Sequence, residues 1–409
     1  MKTNYDVIVI GGGASGMMSS IFSARNGNET LIIDHNEKLG KKLYITGKGK
    51  CNLTNNSSIE NHLNNIVTNS RFMYSALNAF SPQDAIEFFE DNGLKTRTER
   101  GNRVFPASDK SSDVIKTLQK TLQNYGVNVT LNTNIEEVKK VNDIFHILCG
   151  GNITYTCTSL IIATGGVSYA GTGASDFGIK LAKQFGHNVI KPKSALCPIL
   201  VKENIENLNG LSLRNINLTI KTDNKFFESF GDLLFTFNSL TGPTALTLSS
   251  YINKLNLANA VAEIDLKPAL TEQQLEEKFK REFVEFAKKD FKTYLHTLLP
   301  SSFIDYFMAK IKIPNKKMSD FTKTDRQKLI HTLKKFDFLV KSLDNINVSI
   351  VTSGGVDVKE INSKTCESKK VKNLYFIGEV LDVDALTGGY NLQIAWSTGY
   401  IAGNAILKG

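Results

Sequence analysis

The first thirty-four residues constrain the fold more than any other part of this chain. An apolar run from Tyr5 to Ile10 leads into a glycine-rich turn, Gly11 to Gly16, and a second apolar run ends on Asp34. This order is typical of a strand, a phosphate-binding turn, a helix and a second strand. It predicts an α/β fold with a Rossmann-like parallel sheet and a dinucleotide at the carboxyl edge of that sheet.

The glycines of the turn have separate physical tasks. Gly11 permits the tight turn, Gly13 lets the backbone approach the phosphates, and Gly16 lets the helix lie close to the strand. Asp34 follows Gly16 by a little under about 20 residues, where a carboxylate accepts from a ribose hydroxyl and disfavours a 2′-phosphate. The alternative is a turn that packs a helix on a sheet and binds nothing.

Length and composition predict a globular chain of two or three domains. The chain has 409 residues, of which 41% are hydrophobic, enough for ordinary buried cores. No apolar stretch reaches the roughly 20 residues that span a bilayer, and residues 1–4 show no signal-peptide pattern. We therefore expect a cytoplasmic protein with no membrane partner.

Cysteine and histidine spacing gives no support for a disulfide framework or a metal site. The five cysteines are widely spaced and include no C-x-x-C pair, and the six histidines include no pair at metal-binding spacing. These patterns predict neither a dithiol relay nor a bound metal.

The net charge of +9 raises the question of nucleic-acid binding. The lysine-rich stretches at 278–292 and 310–341 are interleaved with or flanked by acidic residues such as Glu276, Glu282 and Asp290. This mixture is typical of solvated helix faces. No zinc-finger or RNA-recognition signature is present, so nucleic acid is not the expected partner.

The order of elements predicts a nucleotide-binding domain interrupted by an insertion. Residues 1–192 and 341–409 are expected to fold together, and residues 193–340 to form the inserted domain. In the insertion, β-type segments extend to about residue 268, and helical patterns run from Thr271 to about Leu299 and from Asp325 to about Lys341.

Three hydrophobic strands are predicted to end in glycine turns. The first precedes Gly11, the second is the run Leu160 to Ala163 before Gly165, and the third is Tyr375 to Ile377 before Gly378. Small residues at the carboxyl edge of a parallel sheet allow close approach to a cofactor. The three strands with glycine turns together are typical of flavoproteins. Their combination indicates a flavoprotein more specifically than any one of them does.

A helix is predicted to begin at Gly388-Gly389-Tyr390-Asn391-Leu392-Gln393. Its unpaired N–H groups would stabilise the negative charge of a reduced flavin at the pyrimidine end of the ring. The alternative is a glycine-rich helix that only packs closely on the sheet, and the two interpretations are compatible.

The loop from Leu43 to Asn55 is rich in glycine, lysine, amides and hydroxyls. It lacks P-loop spacing and suits a backbone that lies along a flavin and its diphosphate, with Thr54 and Asn55 capping the next element. Cys51 in this loop has no partner cysteine, so a small buried residue beside the flavin is a better interpretation than a redox role.

The loop Gly49 to Asn55, the segment Thr352 to Val356 and the run Gly378 to Gln393 resemble the bacterial YhiN-like flavoprotein family that contains aminoacetone oxidase and the bile-acid dehydro-reductase BaiN. The similarity covers essentially the whole chain. The resemblance implies FAD, a nucleotide-binding domain of the glutathione-reductase type and an inserted domain with a small β-barrel and helices. This chain has Lys50 where the family often has arginine, and Asp34 where glutamate is commoner.

Carried over position by position, the resemblance implies a set of residues that line FAD. Those at the pyrophosphate and adenosine ribose are Gly11, Gly13, Ala14, Ser15, Gly16 and Asp34. Those along the rest of the cofactor are Gly49, Asn52, Leu53, Ala163, Thr164, Gly165, Gly378, Glu379, Asn391, Leu392 and Ala395.

These observations favour an FAD-dependent oxidoreductase that exchanges hydride with a small organic substrate. The first hypothesis is a reductase that takes hydride from NAD(P)H, which would bind transiently because a second G-x-G-x-x-G is absent. The alternatives are an oxygen-using amine oxidase of the aminoacetone type, a flavin-containing protein that modifies or binds RNA, and an inactive flavoprotein scaffold. Tyr390 and Tyr169 are the candidates for contact with substrate, although either could serve packing alone.

Overall fold

The computed structural model describes residues 2–408, and these form two compact units. The first unit runs to Ala195 and resumes at Ile346, and the second unit is Leu196–Asn345. Each unit has its own buried apolar core. The second unit is therefore a continuous piece of chain inserted into the first.

The strands, in chain order, are β1 (Asn4–Ile10), β2 (Thr30–Ile33), β3 (Thr54–Asn55), β4 (Thr96–Glu99), β5 (Arg103–Pro106), β6 (Asn128–Thr130), β7 (Ile135–Val141), β8 (Ile144–Cys149), β9 (Ile153–Ile162), β10 (Val189–Ala195), β11 (Ile199–Val201), β12 (Ser212–Lys221), β13 (Phe226–Thr236), β14 (Ser239–Thr241), β15 (Val261–Asp265), β16 (Phe336–Leu343), β17 (Val351–Val356) and β18 (Leu374–Phe376). The helices are α1 (Ala14–Arg25), α2 (Lys41–Ile45), α3 (Ile59–Asn65), α4 (Tyr74–Ala79), α5 (Pro82–Asp91), α6 (Ser111–Asn124), α7 (Phe177–Gln184), α8 (Pro243–Ile252), α9 (Glu272–Glu285), α10 (Phe291–Leu295), α11 (Ser301–Ile311), α12 (Lys323–Lys334) and α13 (Tyr390–Ala405).

The main sheet of the first unit has a parallel part with the order β6, β2, β1, β9, β18. Strands β8 and β7 extend the sheet from β9 in antiparallel fashion. Ile162 at the end of β9 pairs with Ile10 of β1 and with Phe376 of β18. The three strands that precede glycine turns therefore end at the same edge, and the predicted Rossmann-like sheet is confirmed.

Helices α1 and α13 pack against each other at unusually short distance. A Cβ added at Gly399 would lie 2.7 Å from the carbonyl oxygen of Ser15, and one added at Gly403 would lie 2.3 Å from that of Ser19. Only glycine allows this approach, because any side chain would meet the backbone of the other helix. The contact fixes α13, near the end of the chain, beside the phosphate-turn helix at its beginning.

The second unit contains a closed antiparallel barrel with the strand order β11, β14, β13, β12, β15, β16. Helices α8 to α12 belong to the same unit. The inserted barrel and helices implied by the family resemblance are therefore confirmed.

Two helical predictions for the insertion are wrong in part. The helix expected from Thr271 to Leu299 breaks after Glu285, because residues 287–291 turn to bond with residues 316–319. The helix expected to reach Lys341 ends at Lys334, and the residues after it form β16. Phe336, Phe338 and Val340 are buried and alternate with more exposed residues along that strand, a period of two that a helix cannot satisfy.

In the first unit, the hairpin β4–β5 lies between helices α5 and α6. The expected cap at Thr54 and Asn55 is wrong too, since these residues form β3 and the next helix is capped by the Ser58 hydroxyl. Among residues 2–408, no helix combines the length and apolarity needed to cross a bilayer.

Candidate functional site

The phosphate turn has the geometry that its three glycines predict. Gly11 has φ +106°, and a Cβ there would lie 2.5 Å from the Ala163 carbonyl oxygen; a Cβ at Gly16 would lie 1.9 Å from the Gly11 carbonyl oxygen. Around Gly13, in contrast, no heavy atom of residues 2–408 other than those of Gly13 and its two chain neighbours lies within 4 Å of the added Cβ. Gly11 and Gly16 are therefore required by packing, whereas Gly13 borders open space.

Helix α1 begins beside this open space. Within the described chain, no side chain caps its start at Gly13. The N–H groups of the first turn, which include those of Ala14 and Ser15, have no partner inside a helix. An anion at this end would satisfy them and interact favourably with the helix dipole.

Asp34 is 7% exposed and is held against the turn. Its Oδ2 accepts from the Gly12 N–H at 2.7 Å, and its Oδ1 accepts from the Asn36 N–H at 2.8 Å. Oδ1 also accepts from Asn36 Nδ2 at 3.0 Å. A carboxylate has about four lone-pair sites, so it can still accept a hydrogen bond after these three. The structure therefore fixes the Asp34 carboxylate at the end of β2 and leaves it able to accept from a ligand hydroxyl.

The turn after β9 continues the edge that begins at Gly11. The Ala163 N–H donates to the Ile10 carbonyl at 2.8 Å, which ties β9 to β1. Gly165 has φ +75° with open space around an added Cβ, and the buried Thr164 Oγ1 has no partner among residues 2–408. A buried hydroxyl without a partner is a mark of a missing ligand or water.

The turn after β18 lies against the start of α1. Gly378 has φ +68°, and a Cβ there would lie 2.5 Å from Ser15 Oγ. The Gly378 N–H donates to Thr398 Oγ1 of α13 at 3.0 Å. Gly378 is therefore a packing glycine that joins β18, α1 and α13 at one corner of the site.

Glu379 is the centre of a polar cluster that sequence analysis missed. Its carboxylate accepts from Lys42 Nζ at 2.8 Å, from the Thr352 N–H at 2.9 Å and from Ser168 Oγ at 3.2 Å. Burial raises the pKa of the Glu379 carboxyl, but the charge of Lys42 and the hydrogen bonds from Lys42, Thr352 and Ser168 together lower it by more, so the pKa lies below its usual value. The Glu379 carboxylate is therefore ionised and paired at neutral pH.

The start of helix α13 lies against β3. Gly389 has φ +102°, and a Cβ there would lie 2.3 Å from the Thr54 carbonyl carbon, so β3 and the helix start are in contact. Of the first six residues of α13, Asn391, Leu392 and Ala395 keep partial exposure. These three are the positions that the resemblance assigns to the cofactor, and they share one face of the helix.

The Asn391 side chain has a structural task in addition. Its Nδ2 donates to the Ala385 carbonyl at 2.7 Å, and its Oδ1 accepts from the Ala385 N–H at 3.0 Å. The side chain thus holds the loop before α13, and the contribution of Asn391 to a ligand would come from its main-chain N–H.

The loop before β3, residues 46–53, is in contact with α13. Gly49 has φ +85° and borders open space, and the buried Asn52 Oδ1 has no partner within residues 2–408. The carbonyl of the buried Leu53 accepts from Trp396 Nε1 of α13 at 2.8 Å. Cys51 is fully buried, and burial raises the pKa of its thiol, which opposes a redox role as thiolate.

The two candidate tyrosines differ in their surroundings. Tyr390 is 8% exposed, its hydroxyl accepts from Asn61 Nδ2 at 3.0 Å, and its ring packs edge-on against His62. Tyr169 has φ +57° and lies with its ring centroid 6.0 Å from Lys42 Nζ, beside the Glu379 cluster. Since the Tyr390 hydroxyl accepts from Asn61, its own proton remains available to a ligand.

Together these features fit an FAD. An uncapped helix start next to open space at Gly13 suits a pyrophosphate, and the fixed Asp34 carboxylate suits a ribose. The partnerless Asn52 and Thr164 oxygens and the second helix start suit the polar groups of the ribityl chain and ring. Within residues 2–408, no group of three or more His, Cys, Asp or Glu side chains is placed to hold a metal.

Comparison with known families gives a match over nearly the whole chain. Residues 5–405 match the family described as HI0933-like protein Rossmann domain. The chain is 31% identical over 98% of both chains to a Haemophilus influenzae protein named ribosomal RNA dihydrouridine synthase. It is 27% identical to the 3-dehydro-bile acid delta(4,6)-reductase of Clostridium scindens, over 97% of this chain and 98% of the relative.

Solved structures of similar fold include two steroid dehydrogenases. The 3-ketosteroid Δ1-dehydrogenase of Sterolibacterium denitrificans aligns with a TM-score of 0.54 and 13% identity, covering 99% of each chain. The 3-ketosteroid Δ4-(5α)-dehydrogenase of Rhodococcus jostii aligns with a TM-score of 0.53 and 13% identity, covering 100% of this chain and 98% of that one. At this identity the similarity concerns the fold.

Proposed function

The chain belongs to the HI0933-like Rossmann-domain family, and we propose that it is a reductase that saturates a C=C bond conjugated to a carbonyl, using hydride from NAD(P)H. The family and its relatives identify the protein as an FAD-dependent oxidoreductase. FAD supplies a carrier that accepts hydride from the nicotinamide and delivers hydride to the substrate. The substrate gains this hydride on one carbon and a proton on the other.

The observation that carries this proposal is the bond shared by the relatives' named reactions. A dihydrouridine synthase produces a uracil ring saturated next to a carbonyl, and a 3-dehydro Δ4,6-reductase acts on double bonds conjugated to a ketone. The named substrates differ in size and polarity, but the activated alkene is common to both. A nucleophilic hydride adds to such an alkene because the carbonyl oxygen accepts the resulting charge.

We assign the pyrophosphate to the turn residues Gly11 to Gly16 and the adenosine ribose to Asp34. The open space at Gly13 and the uncapped start of α1 support this assignment. The rest of the cofactor is assigned to Gly49, Asn52, Leu53, Ala163, Thr164, Gly165, Gly378, Glu379, Asn391, Leu392 and Ala395.

Tyr390 is our candidate for a donor to the substrate carbonyl. Burial raises the pKa of its phenol, with a smaller opposing effect of the Asn61 hydrogen bond, so the hydroxyl is protonated at neutral pH. Because the oxygen already accepts from Asn61, the O–H proton can be donated outward. A hydrogen bond to the carbonyl would stabilise the charge that develops during hydride addition.

The test is an anaerobic titration of the purified FAD protein with NADH and then NADPH, followed by flavin absorbance. We expect bleaching by one or both nucleotides, and recovery of the colour when a conjugated enone is added under argon. If the flavin colour returned only with oxygen and not with the enone, the proposal that a conjugated enone is the acceptor would lose its support. Absence of bleaching by either nucleotide, with bleaching by aminoacetone, would favour the amine oxidase instead.

A second candidate substrate is uridine within RNA. It is favoured by the net charge of +9 and by the name of the Haemophilus influenzae relative at 31% identity. The reduced protein should convert uridine to dihydrouridine in unmodified ribosomal RNA, detected by mass spectrometry of nucleosides, and binding should weaken steeply with salt. If no dihydrouridine forms while an enone reoxidises the flavin, the substrate is a small molecule.

A further inference from the structure

The side chain of Asn55, on β3, has a buried oxygen without a hydrogen-bond donor among the described residues. The residue is 2% exposed, and its Oδ1 has no hydrogen-bond partner among residues 2–408. An acceptor buried without a donor costs roughly 1–3 kcal/mol. Native structures seldom carry this cost without a ligand or a water at the position.

The orientation of this amide is fixed by two carbonyl groups. Asn55 Nδ2 donates to the Gly101 carbonyl at 3.0 Å and to the Gly388 carbonyl at 3.1 Å. A flipped amide would place its oxygen against both carbonyl oxygens, which is repulsive. The Oδ1 atom is therefore held as an acceptor on the side away from Gly101 and Gly388.

The start of α13 lies beside Asn55. Its neighbour Thr54 touches Gly389 at the start of α13, and no side chain of the described residues caps that helix. The first-turn N–H groups from Tyr390 onward have no acceptor inside the helix. One fixed acceptor thus lies beside a helix start that offers several donors.

This pattern is complementary to one edge of the isoalloxazine ring. The pyrimidine part of a flavin has a single donor, N3–H, between two carbonyl acceptors, with the acceptor N1 next to them. We propose that Asn55 Oδ1 accepts the flavin N3–H while the start of α13 donates to the neighbouring acceptors. Asn55 is then a positioning residue for the flavin, and its role is the same whichever substrate is reduced.

The Asn55 main chain supports this role. The Asn55 carbonyl is bonded to His62 Nε2 at 2.8 Å, and the Asn56 N–H donates to the Asn102 carbonyl at 2.7 Å. Backbone and side chain are thus both anchored, so Oδ1 cannot turn toward another donor. A preorganised acceptor of this kind loses little entropy when the ligand binds.

The test compares FAD with 3-methyl-FAD, in which a methyl group replaces the N3 proton. Apoprotein is titrated with each cofactor, and Kd is read from the quenching of flavin fluorescence. We expect the wild-type protein to bind 3-methyl-FAD at least about tenfold more weakly than FAD. In Asn55→Ala the ratio of the Kd for 3-methyl-FAD to the Kd for FAD should fall to about threefold or less. The acceptor is then gone, and space is opened for the methyl group.

Asn56→Ala is the matched control, since Asn56 is exposed and adjacent, and its ratio should equal that of the wild type. A second readout is the N3 proton of ¹⁵N-labelled FAD bound to the wild type, which should exchange slowly with solvent. This measurement decides the question alone if Asn55→Ala does not fold. The proposal would be overturned if the wild type bound FAD and 3-methyl-FAD equally well, or if the ratio of the two Kd values were unchanged in a folded Asn55→Ala. It would also be overturned if the N3 proton exchanged rapidly with solvent. None of these outcomes depends on whether NAD(P)H reduces the flavin.

Discussion

Substituting Gly13 by valine should separate the stability of the protein from its affinity for FAD. Gly13 has φ −81° and ψ −166°, an extended conformation that any residue adopts, and an added Cβ meets no heavy atom of residues 2–408 within 4 Å. The smaller freedom of the unfolded chain should stabilise the apoprotein by about 0.4–1 kcal/mol. The less favourable helix cap should cost about 0.5–1 kcal/mol, so the net change should be within about 1 kcal/mol of zero.

The effect of Gly13→Val on cofactor binding should be much larger. The new side chain projects into the space that we assign to the pyrophosphate, and the phosphates would withdraw from the start of α1. Losing one or two charge-assisted hydrogen bonds at about 1.5–3 kcal/mol each should weaken FAD binding by a factor between roughly tenfold and roughly 10⁴-fold. Fluorescence titration of the apoprotein measures this loss, and urea unfolding of the same apoprotein measures stability.

Gly16→Ala is the comparison variant, because it should affect the stability of the apoprotein. Its Cβ would overlap the Gly11 carbonyl oxygen at 1.9 Å, so this smaller substitution should destabilise the apoprotein by about 3 kcal/mol or more. If Gly13→Val retained wild-type FAD affinity, the pyrophosphate would not lie at this turn. If Gly13→Val destabilised the apoprotein as much as Gly16→Ala, the space at Gly13 would not be open.

Three further predictions concern the polar groups of the site. Lys42→Met should raise the pKa of Glu379 and destabilise the apoprotein by about 2 kcal/mol at pH 7. Because the Glu379 pKa is lowered in the folded wild type, this difference should shrink as the pH falls and be lost only once the pH is below that lowered pKa, which urea unfolding from about pH 3 to pH 8 would measure. Tyr390→Phe should keep FAD bound but lower kcat at least about tenfold in steady-state reduction of an enone, and unchanged kinetics would remove its assigned role. Cys51→Ala should leave flavin reduction by nicotinamide unchanged in stopped-flow measurements, since burial keeps the Cys51 thiol protonated; a large loss in a variant with normal FAD content would contradict this.

The features that can be predicted from the sequence are those fixed by local backbone chemistry. The roles of Gly11 and Gly16 depend on turn and packing geometry within a few residues and the next strand, and the apolar runs identify β1 and β9 directly. The composition around β16 predicts helix instead, because lysine-rich flanks hide the alternation of Phe336, Phe338 and Val340. A short strand after a long helix gives a weak signal when its neighbours continue the helical composition.

The Glu379 cluster cannot be predicted because its members are distant in sequence. Lys42 and Glu379 are 337 residues apart, and their pairing depends on the register of the sheet and the position of the short helix α2. Sequence spacing carries no information about such a contact. The same holds for Asn55, whose missing partner is visible only once the two carbonyl groups around its amide are located.

The contact between α1 and α13 has a consequence for the order of events during synthesis. The phosphate turn leaves the ribosome first, but β18 and α13, which complete the same unit, emerge more than three hundred residues later. The continuous second unit, Leu196–Asn345, can fold while those last elements are still being translated. Until β18 is synthesised, the end of β9 with which it pairs remains an open sheet edge. Because this pairing joins residues far apart in sequence, we expect the first unit to fold more slowly than the second. Binding of FAD at the site that we propose therefore has to wait until α13 has been synthesised, because that site needs residues of both α1 and α13.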